Sequence, residues 1–226
     1  MVKLPSSEDL WKRHERLVFN VFLNALVRLK NEKSLPDDEI TLNDLLYVFA
    51  REIWCELPQK DKPFWALIPN SETPPRNRKE IGQKWTRKKP DFRWTLSDPL
   101  ERDTVKAIKE YTIECKRLAE KTSAGWDFIN KYVVNGIIRF ISKEHRYGIG
   151  TISGVMIGYV QNLVHAEVLK QINLTVRKSQ EYKIPEIMFN HLKDLSGISK
   201  GNHTLIRKEV SPSNFDLRHI WVELMN

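Results

Sequence analysis

The sequence predicts an α/β protein in which a central mixed β-sheet is flanked by helices, and three observations predict this class. Apolar residues recur at three- and four-residue steps in several segments, which is typical of helices that bury one face. Other segments alternate in polarity and are rich in β-branched and aromatic residues, which is typical of strands. The two kinds of segment follow one another along the chain, so a sheet packed between helices would bury both.

The first helix is predicted at residues 6–32. Ser6 with Asp9 three residues later forms a capping box, and the apolar positions that follow are Leu10, Leu17, Val18, Val21, Phe22, Ala25, Leu26 and Leu29. We interpret residues 1–35 as an N-terminal helical extension to a domain at residues 36–226. The second helix is predicted to start near Thr41 and to end before Pro58.

The middle of the chain is less regular. Residues 65–69 predict a short strand, and residues 69–90 predict a proline-rich, strongly basic loop with one helical turn at residues 79–84. The segments DFRWTL and EYTIECKRL alternate in polarity and predict neighbouring antiparallel strands, joined by a long connection or a helical turn.

The C-terminal half predicts further alternation of helix and strand. A helix at residues 122–142 would place five apolar residues on one face: Trp126, Ile129, Val133, Ile137 and Phe140. The segment GTISGVMIGYV favours a strand, with a buried helix as the alternative. HAEVLKQINLTVRKSQ predicts a helix, and DLRHIWVEL a last strand. The order after the first helix is therefore α, β, β, β, α, β, α, β.

Composition limits the classes of function. The 226 residues are 41% hydrophobic and 29% charged, as in soluble globular proteins. The net charge of +8 favours acidic partners, of which nucleic acid is the commonest. No stretch approaches the roughly 20 apolar residues of a membrane span, and the N-terminus lacks a secretory signal. We therefore expect a cytoplasmic protein with no membrane partner.

Charged residues within the strand-like segments suggest chemistry. Alternation puts Glu114 and Lys116 on one face of their strand, and pairing of the two strands would bring Asp91 close to Glu114. Two nearby carboxylates repel unless a cation intervenes, and Mg²⁺ prefers carboxylate oxygens. A nearby lysine can orient water and offset phosphate charge. The arrangement fits phosphodiester hydrolysis, and the alternative is an ordinary solvated strand face.

These residues carry a resemblance. PDFRW…YTIECKRL resembles the core of the PD-(D/E)XK nuclease superfamily, and the segments NKYVVNGIIRFIS…YGIGTISGVMIGYV and FDLRHIWVEL are similar to later segments of its bacterial and phage-defence members. The similarity covers about residues 36–224. It implies a restriction-endonuclease-like core and a Mg²⁺-dependent endonuclease, with Mn²⁺ able to substitute. It suggests a role in restriction or anti-phage defence but does not identify the substrate. We expect nucleic acid, with double-stranded DNA as the first choice and RNA as the alternative.

The resemblance also implies roles for particular residues. Asp91, Glu114 and Lys116 match the catalytic positions, and Asp91 and Glu114 match the metal ligands. A further acidic ligand often comes from the helix before the sheet. Glu39 is the first choice for this ligand, and Glu52 is the rival.

Basic residues offer candidate phosphate contacts. Arg78, Lys84, Arg87 and Lys88 precede Asp91 and predict a nucleic-acid-binding loop, with a merely solvated loop as the alternative. Further candidate contacts lie later in the chain, at Arg139, His145, Arg146, Tyr147, His203 and Arg207.

Two other functions remain open. The chain could be a non-catalytic nucleic-acid-binding subunit of a larger defence or DNA-processing complex, or an interaction module whose first helix docks a partner or a second copy in a homodimer. No P-loop is present, so an energy-driven role would need a partner ATPase or helicase subunit.

Overall fold

A computed structural model describes residues 6–58, 67–191 and 197–224 of the chain. Within these residues, seven strands form one mixed sheet with helices packed against it, which confirms the predicted α/β class. None of the described helices combines the length and the apolar character that crossing a bilayer requires.

The helices and strands have the following bounds. The helices are α1 Ser7–Lys30, α2 Glu39–Glu56, α3 Thr104–Ala107, α4 Phe128–Tyr132, α5 Ile138–Ile141 and α6 His165–Lys178. A π-helical turn at Val133–Ile137 joins α4 to α5, and short 3-10 turns lie at Arg78–Glu80, Lys84–Arg87 and Gln180–Tyr182. The strands are β1 Leu67–Pro69, β2 Phe92–Ser97, β3 Ile108–Leu118, β4 Ser153–Val160, β5 Met188–His191, β6 Ile198–Ile206 and β7 Asn214–Glu223.

The sheet is parallel at its centre and antiparallel towards both edges. Its strand order is β1-β2-β3-β4-β7-β6-β5, with β3, β4 and β7 running in the same direction. All eight residues of β4 are buried, because helices cover both faces of this strand. The segment GTISGVMIGYV therefore contains a strand, and the buried-helix alternative is wrong.

The first helix packs onto the sheet. Its N-terminus carries the predicted capping box between Ser6 and Asp9. The apolar face, including Val18 and Leu26, lies in one hydrophobic core with α2 and with residues of β2, β3 and β4. The segment interpreted as an extension thus buries its apolar face within the chain's own core. The helices α4 to α6 cover the opposite face of the sheet.

The second helix starts earlier than predicted. Asp38 is its N-cap, and the Asp38 carboxylate accepts a hydrogen bond from the Thr41 backbone N–H at 2.9 Å. Glu39 is therefore the first residue of α2 rather than part of the preceding loop. The helix ends at Glu56, before Pro58 as predicted.

Several elements differ from the predictions. The strands β5 and β6 were not predicted, because β6 contains a glycine and several polar residues and its alternation is weak. In the basic loop, two 3-10 turns replace the single predicted turn. Trp126 precedes α4 and is 54% exposed, so its predicted place on the buried helix face is wrong. Residues 65 and 66 of the first predicted strand lie outside the described residues.

Candidate functional site

The candidate site begins where β3 continues beyond the start of β2. The last β2–β3 pair joins Phe92 to Ile113, whereas β3 runs on to Leu118. In this overhang, the backbone N–H groups of Cys115 and Arg117 have no β2 residue opposite them to accept a hydrogen bond. The Asp91 carboxylate accepts from the Cys115 N–H at 2.7 Å, and the Glu39 carboxylate accepts from the Arg117 N–H at 3.1 Å. Side chains therefore complete the backbone hydrogen bonding here.

Three carboxylates converge on one ammonium group. Lys116 Nζ lies 2.8 Å from Glu39 Oε1, 2.8 Å from Glu114 Oε1 and 3.7 Å from Asp91 Oδ2. The ammonium also donates to the Cys115 carbonyl oxygen. We call Glu39, Asp91, Glu114 and Lys116 the carboxylate cluster. All four were proposed as site residues from the sequence, and the structure brings them together.

The structure separates the two acidic candidates of α2. Glu52 is exposed and accepts a hydrogen bond from the Arg28 guanidinium at 3.1 Å, on the outside of the α1–α2 pair. Glu39 lies in the carboxylate cluster because the Asp38 cap starts the helix beside β3. Glu39 is thus the α2 carboxylate that meets Asp91 and Glu114.

A second cation reaches the cluster from α5. The Arg139 guanidinium donates to Glu114 Oε1 and lies 5.9 Å from the ring centroid of Tyr147. The π-helical turn before α5 brings Gly136 close to the sheet. A Cβ atom on Gly136 would lie 2.4 Å from Met156 Cε and 3.6 Å from Lys116 Cγ. Glycine therefore allows this helix to approach the strands that carry the cluster.

Burial makes the charges of the cluster interdependent. Glu114 is fully buried, and burial together with repulsion by Asp91 raises its pKa to about 8, although Lys116 and Arg139 act in the opposite direction. Burial also raises the pKa of Asp91. Burial alone would lower the pKa of Lys116, but attraction by the three carboxylates outweighs it and raises the pKa. The cluster therefore holds more negative charge than its buried position easily tolerates.

The acidic side chains of the cluster are of the chemical type that binds a hard divalent cation. The three acidic side chains supply carboxylate oxygens, which Mg²⁺ prefers. Glu114 Oε2 is buried, and none of the described residues forms a hydrogen bond with it. In the described part of the chain, no three His, Cys, Asp or Glu side chains are arranged so as to hold a metal ion. The Lys116 ammonium lies among the carboxylates instead.

Two members of the cluster line an open cleft of about 640 Å³. Glu39 and Lys116 belong to its lining, which otherwise consists of Asp38, Ile40, Arg117, Thr122, Trp126, Phe128, Lys131, Asn135 and Arg139. Four of these side chains are cationic and two are acidic, so the cleft favours an anionic ligand. Within this cleft, sequence reasoning missed Arg117, Trp126 and Lys131. Only the position of Arg117 directly after the E-x-K motif could have pointed to it.

The predicted basic loop lies partly beside the site. Lys88 is half-buried, and its positive charge adds to the effect of burial in lowering the pKa of His145 to about 4. His145 packs edge-on against Tyr147, whose ring adjoins Arg139. Arg78, Lys84 and Arg87 are exposed, and the described lining of the cleft does not include them.

Three candidate phosphate contacts are wrong because they are buried. Tyr147 is 3% exposed and packs edge-on against Phe140. His203 is 6% exposed and contacts His219. Arg207 is fully buried, and its guanidinium donates to the carbonyl oxygens of Tyr147, Gly148, Thr151 and Pro212. From the sequence, a long charged side chain such as Arg207 is expected to be exposed. In the structure, backbone carbonyl oxygens of two loops accept hydrogen bonds from its N–H groups.

Comparison with known proteins adds no further identification. The chain matches no protein-family model, no curated protein and no solved structure.

Proposed function

We propose that the chain is a metal-dependent endonuclease that hydrolyses phosphodiester bonds of nucleic acid. The observation that carries this proposal is the convergence of Glu39, Asp91 and Glu114 on Lys116 at the edge of a basic cleft. Catalytic sites for phosphoryl transfer combine acidic metal ligands with cations that stabilise phosphate charge. The carboxylate cluster and its neighbouring cations supply both.

The residues have separate roles in this proposal. Glu39, Asp91 and Glu114 would hold Mg²⁺, with Mn²⁺ as a substitute, once the Lys116 ammonium that now lies among them moves aside. The bound ion would supply an activated water and stabilise phosphate charge. Lys116 orients that water and offsets the charge that builds on the phosphate. Arg139 holds Glu114 in place and adds positive charge at the same point.

The fold and the resemblance support the narrower form of the proposal. A mixed sheet with helices on both faces is the arrangement that resemblance to the PD-(D/E)XK superfamily implies, so we propose a restriction-endonuclease-like core. The same resemblance suggests a role in restriction or anti-phage defence, and we propose DNA as the substrate. The net charge of +8 is consistent with a nucleic-acid partner.

Cleavage assays test the proposal directly. Supercoiled plasmid and linear duplex are incubated with Mg²⁺, with Mn²⁺ or with EDTA, and products are separated on gels. We expect cleavage that EDTA abolishes and that Asp91→Ala and Lys116→Ala each reduce at least about 100-fold. Glu52→Gln is the matched control, since Glu52 lies outside the cluster, and it should cleave like the unaltered protein. Cleavage that survives EDTA, or persists in both alanine variants, contradicts the proposal.

A non-catalytic nucleic-acid-binding protein is the second candidate. One observation favours it, because Lys116 and Arg139 already neutralise much of the acidic charge without a metal ion. A binding protein of this kind would show steep salt dependence, unchanged affinity with or without Mg²⁺, and no cleavage. Affinity measured over a range of salt, with and without EDTA, therefore separates the two candidates.

A further inference from the structure

Trp126 is an exposed aromatic side chain at the proposed catalytic cleft. Its side chain is 54% exposed, whereas the described tryptophans Trp11, Trp85, Trp94 and Trp221 are buried. It lines the same cleft as Glu39 and Lys116. An exposed aromatic ring beside cationic side chains offers a surface on which the base of a nucleotide can stack.

A closed turn holds Trp126 in position. The Thr122 N–H donates to the Trp126 carbonyl oxygen at 3.1 Å, and the Trp126 N–H donates to Thr122 Oγ1 at 3.1 Å. Gly125 adopts a φ of 86° within this turn and donates to the Thr122 carbonyl oxygen. The Lys131 ammonium lies 3.3 Å from the Trp126 ring centroid. These hydrogen bonds hold the Trp126 backbone, and Lys131 lies over one face of the ring, so a base would stack on the opposite face.

Cations surround the aromatic side chains of the cleft. The Arg117 guanidinium lies 4.7 Å from the Phe128 ring centroid and is hydrogen bonded to Gln161 at 2.8 Å. Lys131 and Arg139 line the cleft as well. Proteins that bind single-stranded nucleic acid combine a positively charged groove with aromatic rings on which bases stack.

We propose that this cleft binds an unpaired nucleotide, with its base stacked on Trp126 and its phosphate directed to the cations near Lys116. This inference rests on the proposed function and specifies its substrate: a single strand, or a duplex segment that is opened at the cleavage point. A base within an intact duplex stacks on its neighbours and cannot offer its face to a protein ring. The cleft volume of about 640 Å³ lies within the usual range for small-ligand sites.

Stacking also predicts weak sequence preference. Every base has an aromatic face, so contact with a tryptophan ring tolerates all four bases. We therefore expect the affinity for single strands to depend on whether a base is present and little on which base it is.

The experiment compares binding of fluorescein-labelled probes in EDTA, which prevents metal-dependent cleavage during the measurement. The probes are a 12-nucleotide oligo-dT strand, a strand of equal charge with abasic sites, and a 12-base-pair duplex. Trp126→Leu should weaken binding of oligo-dT by about 5- to 150-fold and leave binding of the abasic strand unchanged. Trp126→Phe should retain most of the affinity. Met188→Ala is the control, because Met188 is 78% exposed on the distant edge strand β5.

The outcomes are separable from those of the cleavage assay. The inference is overturned if the unaltered protein binds the abasic strand as tightly as oligo-dT, or if Trp126→Leu weakens both strands equally. The first comparison needs no variant, so it stands even if a substitution impairs folding. If the protein cleaves plasmid but its binding of oligo-dT does not depend on Trp126, the proposed nuclease is retained and the unpaired-nucleotide site is excluded. Binding that depends on Trp126 without any cleavage would retain the nucleotide site and exclude the nuclease.

Discussion

Lys116 is the proposed catalytic lysine and also the central cation of the carboxylate cluster. Its ammonium is the counter-ion for three carboxylates, and two of these, Asp91 and Glu114, are largely shielded from water. Removal of a buried counter-ion leaves charges that the surroundings cannot solvate. The proposed catalytic lysine is therefore also a structural residue of the cluster.

Substitution at Lys116 should lower stability more than substitution at Glu114. Lys116→Met leaves three acidic groups without their central cation, and we expect the free energy of unfolding to fall by on the order of 3 kcal/mol. Glu114→Gln keeps the shape and replaces a carboxyl whose raised pKa of about 8 leaves it largely protonated at pH 7, so its cost should be smaller. Urea denaturation at pH 7 in EDTA measures both values. A larger loss in Glu114→Gln than in Lys116→Met would contradict this account of the cluster.

Residue-level prediction from sequence succeeded where geometry is local. Glu114 and Lys116 are two positions apart in a strand, and strand alternation alone places them on one face. Asp91 followed from antiparallel pairing of β2 with β3. The choice between Glu39 and Glu52 was not decidable in this way, because it depends on where α2 begins, and the Asp38 cap sets that start. Nor does sequence alternation indicate that Arg207 is buried among carbonyl groups of two loops.

At the scale of elements, the site depends on the irregular helix that carries Arg139. The π-helical turn Val133–Ile137 interrupts the α-helical spacing between Phe128–Tyr132 and Ile138–Ile141. Such turns in helices are rare and are frequent at functional sites. A sequence with good apolar spacing predicts one regular helix here, so the place of Arg139 beside Glu114 could not be read from the sequence.

Gly136 provides a test of this close helix–strand packing. Gly136→Ala places a methyl group 2.4 Å from the present position of Met156 Cε, and we expect overpacking to lower the free energy of unfolding by about 1–3 kcal/mol. Met156→Val shortens the opposing side chain. The double variant Gly136→Ala/Met156→Val should then be more stable than the sum of the single effects predicts.

Thermal or urea denaturation of the four proteins measures this coupling. Strict additivity would show that the two side chains do not compete for the same space. The unpredicted strands β5 and β6 show the same limit of sequence reasoning. Pairing of β6 with β7, and of β5 with β6, stabilises them rather than their own alternation.

For the whole molecule, buried histidines couple folding to pH. His14 is 4% exposed and lies between α1 and the sheet, where its Nε2 contacts the Trp94 carbonyl oxygen at 3.1 Å. A carbonyl oxygen can only accept, so Nε2 carries the proton of the neutral ring. Burial lowers the pKa of His14 to about 4, and the Trp94 carbonyl opposes this shift only in part. His203 and His219 lie in contact in the other core, and burial lowers their pKa values too.

The free energy of unfolding should therefore fall in acid because of these buried histidines. The unfolded state takes up a proton near the ordinary histidine pKa of about 6.5, whereas folded His14 resists protonation until about pH 4. Between these values the unfolded state binds more protons, so the free energy of unfolding falls as pH falls.

His14→Gln isolates one contribution. The variant keeps a donor for the Trp94 carbonyl oxygen but does not titrate. Relative to this variant, the unaltered protein should lose about 3 kcal/mol between pH 7 and pH 4. Urea midpoints at several pH values measure the difference, and a difference that stays constant with pH would refute the assignment of His14 as a neutral buried ring.

The unequal lengths of β2 and β3 have a consequence of their own. If β2 began four residues earlier in the same register, its backbone would lie opposite residues 115 and 117, and the acidic side chains that now accept from their amides would be displaced. A longer β2 could thus dismantle the carboxylate cluster while the sheet became more regular. In this architecture, incomplete pairing of β2 with β3 is what lets the carboxylates of Glu39 and Asp91 reach the β3 backbone.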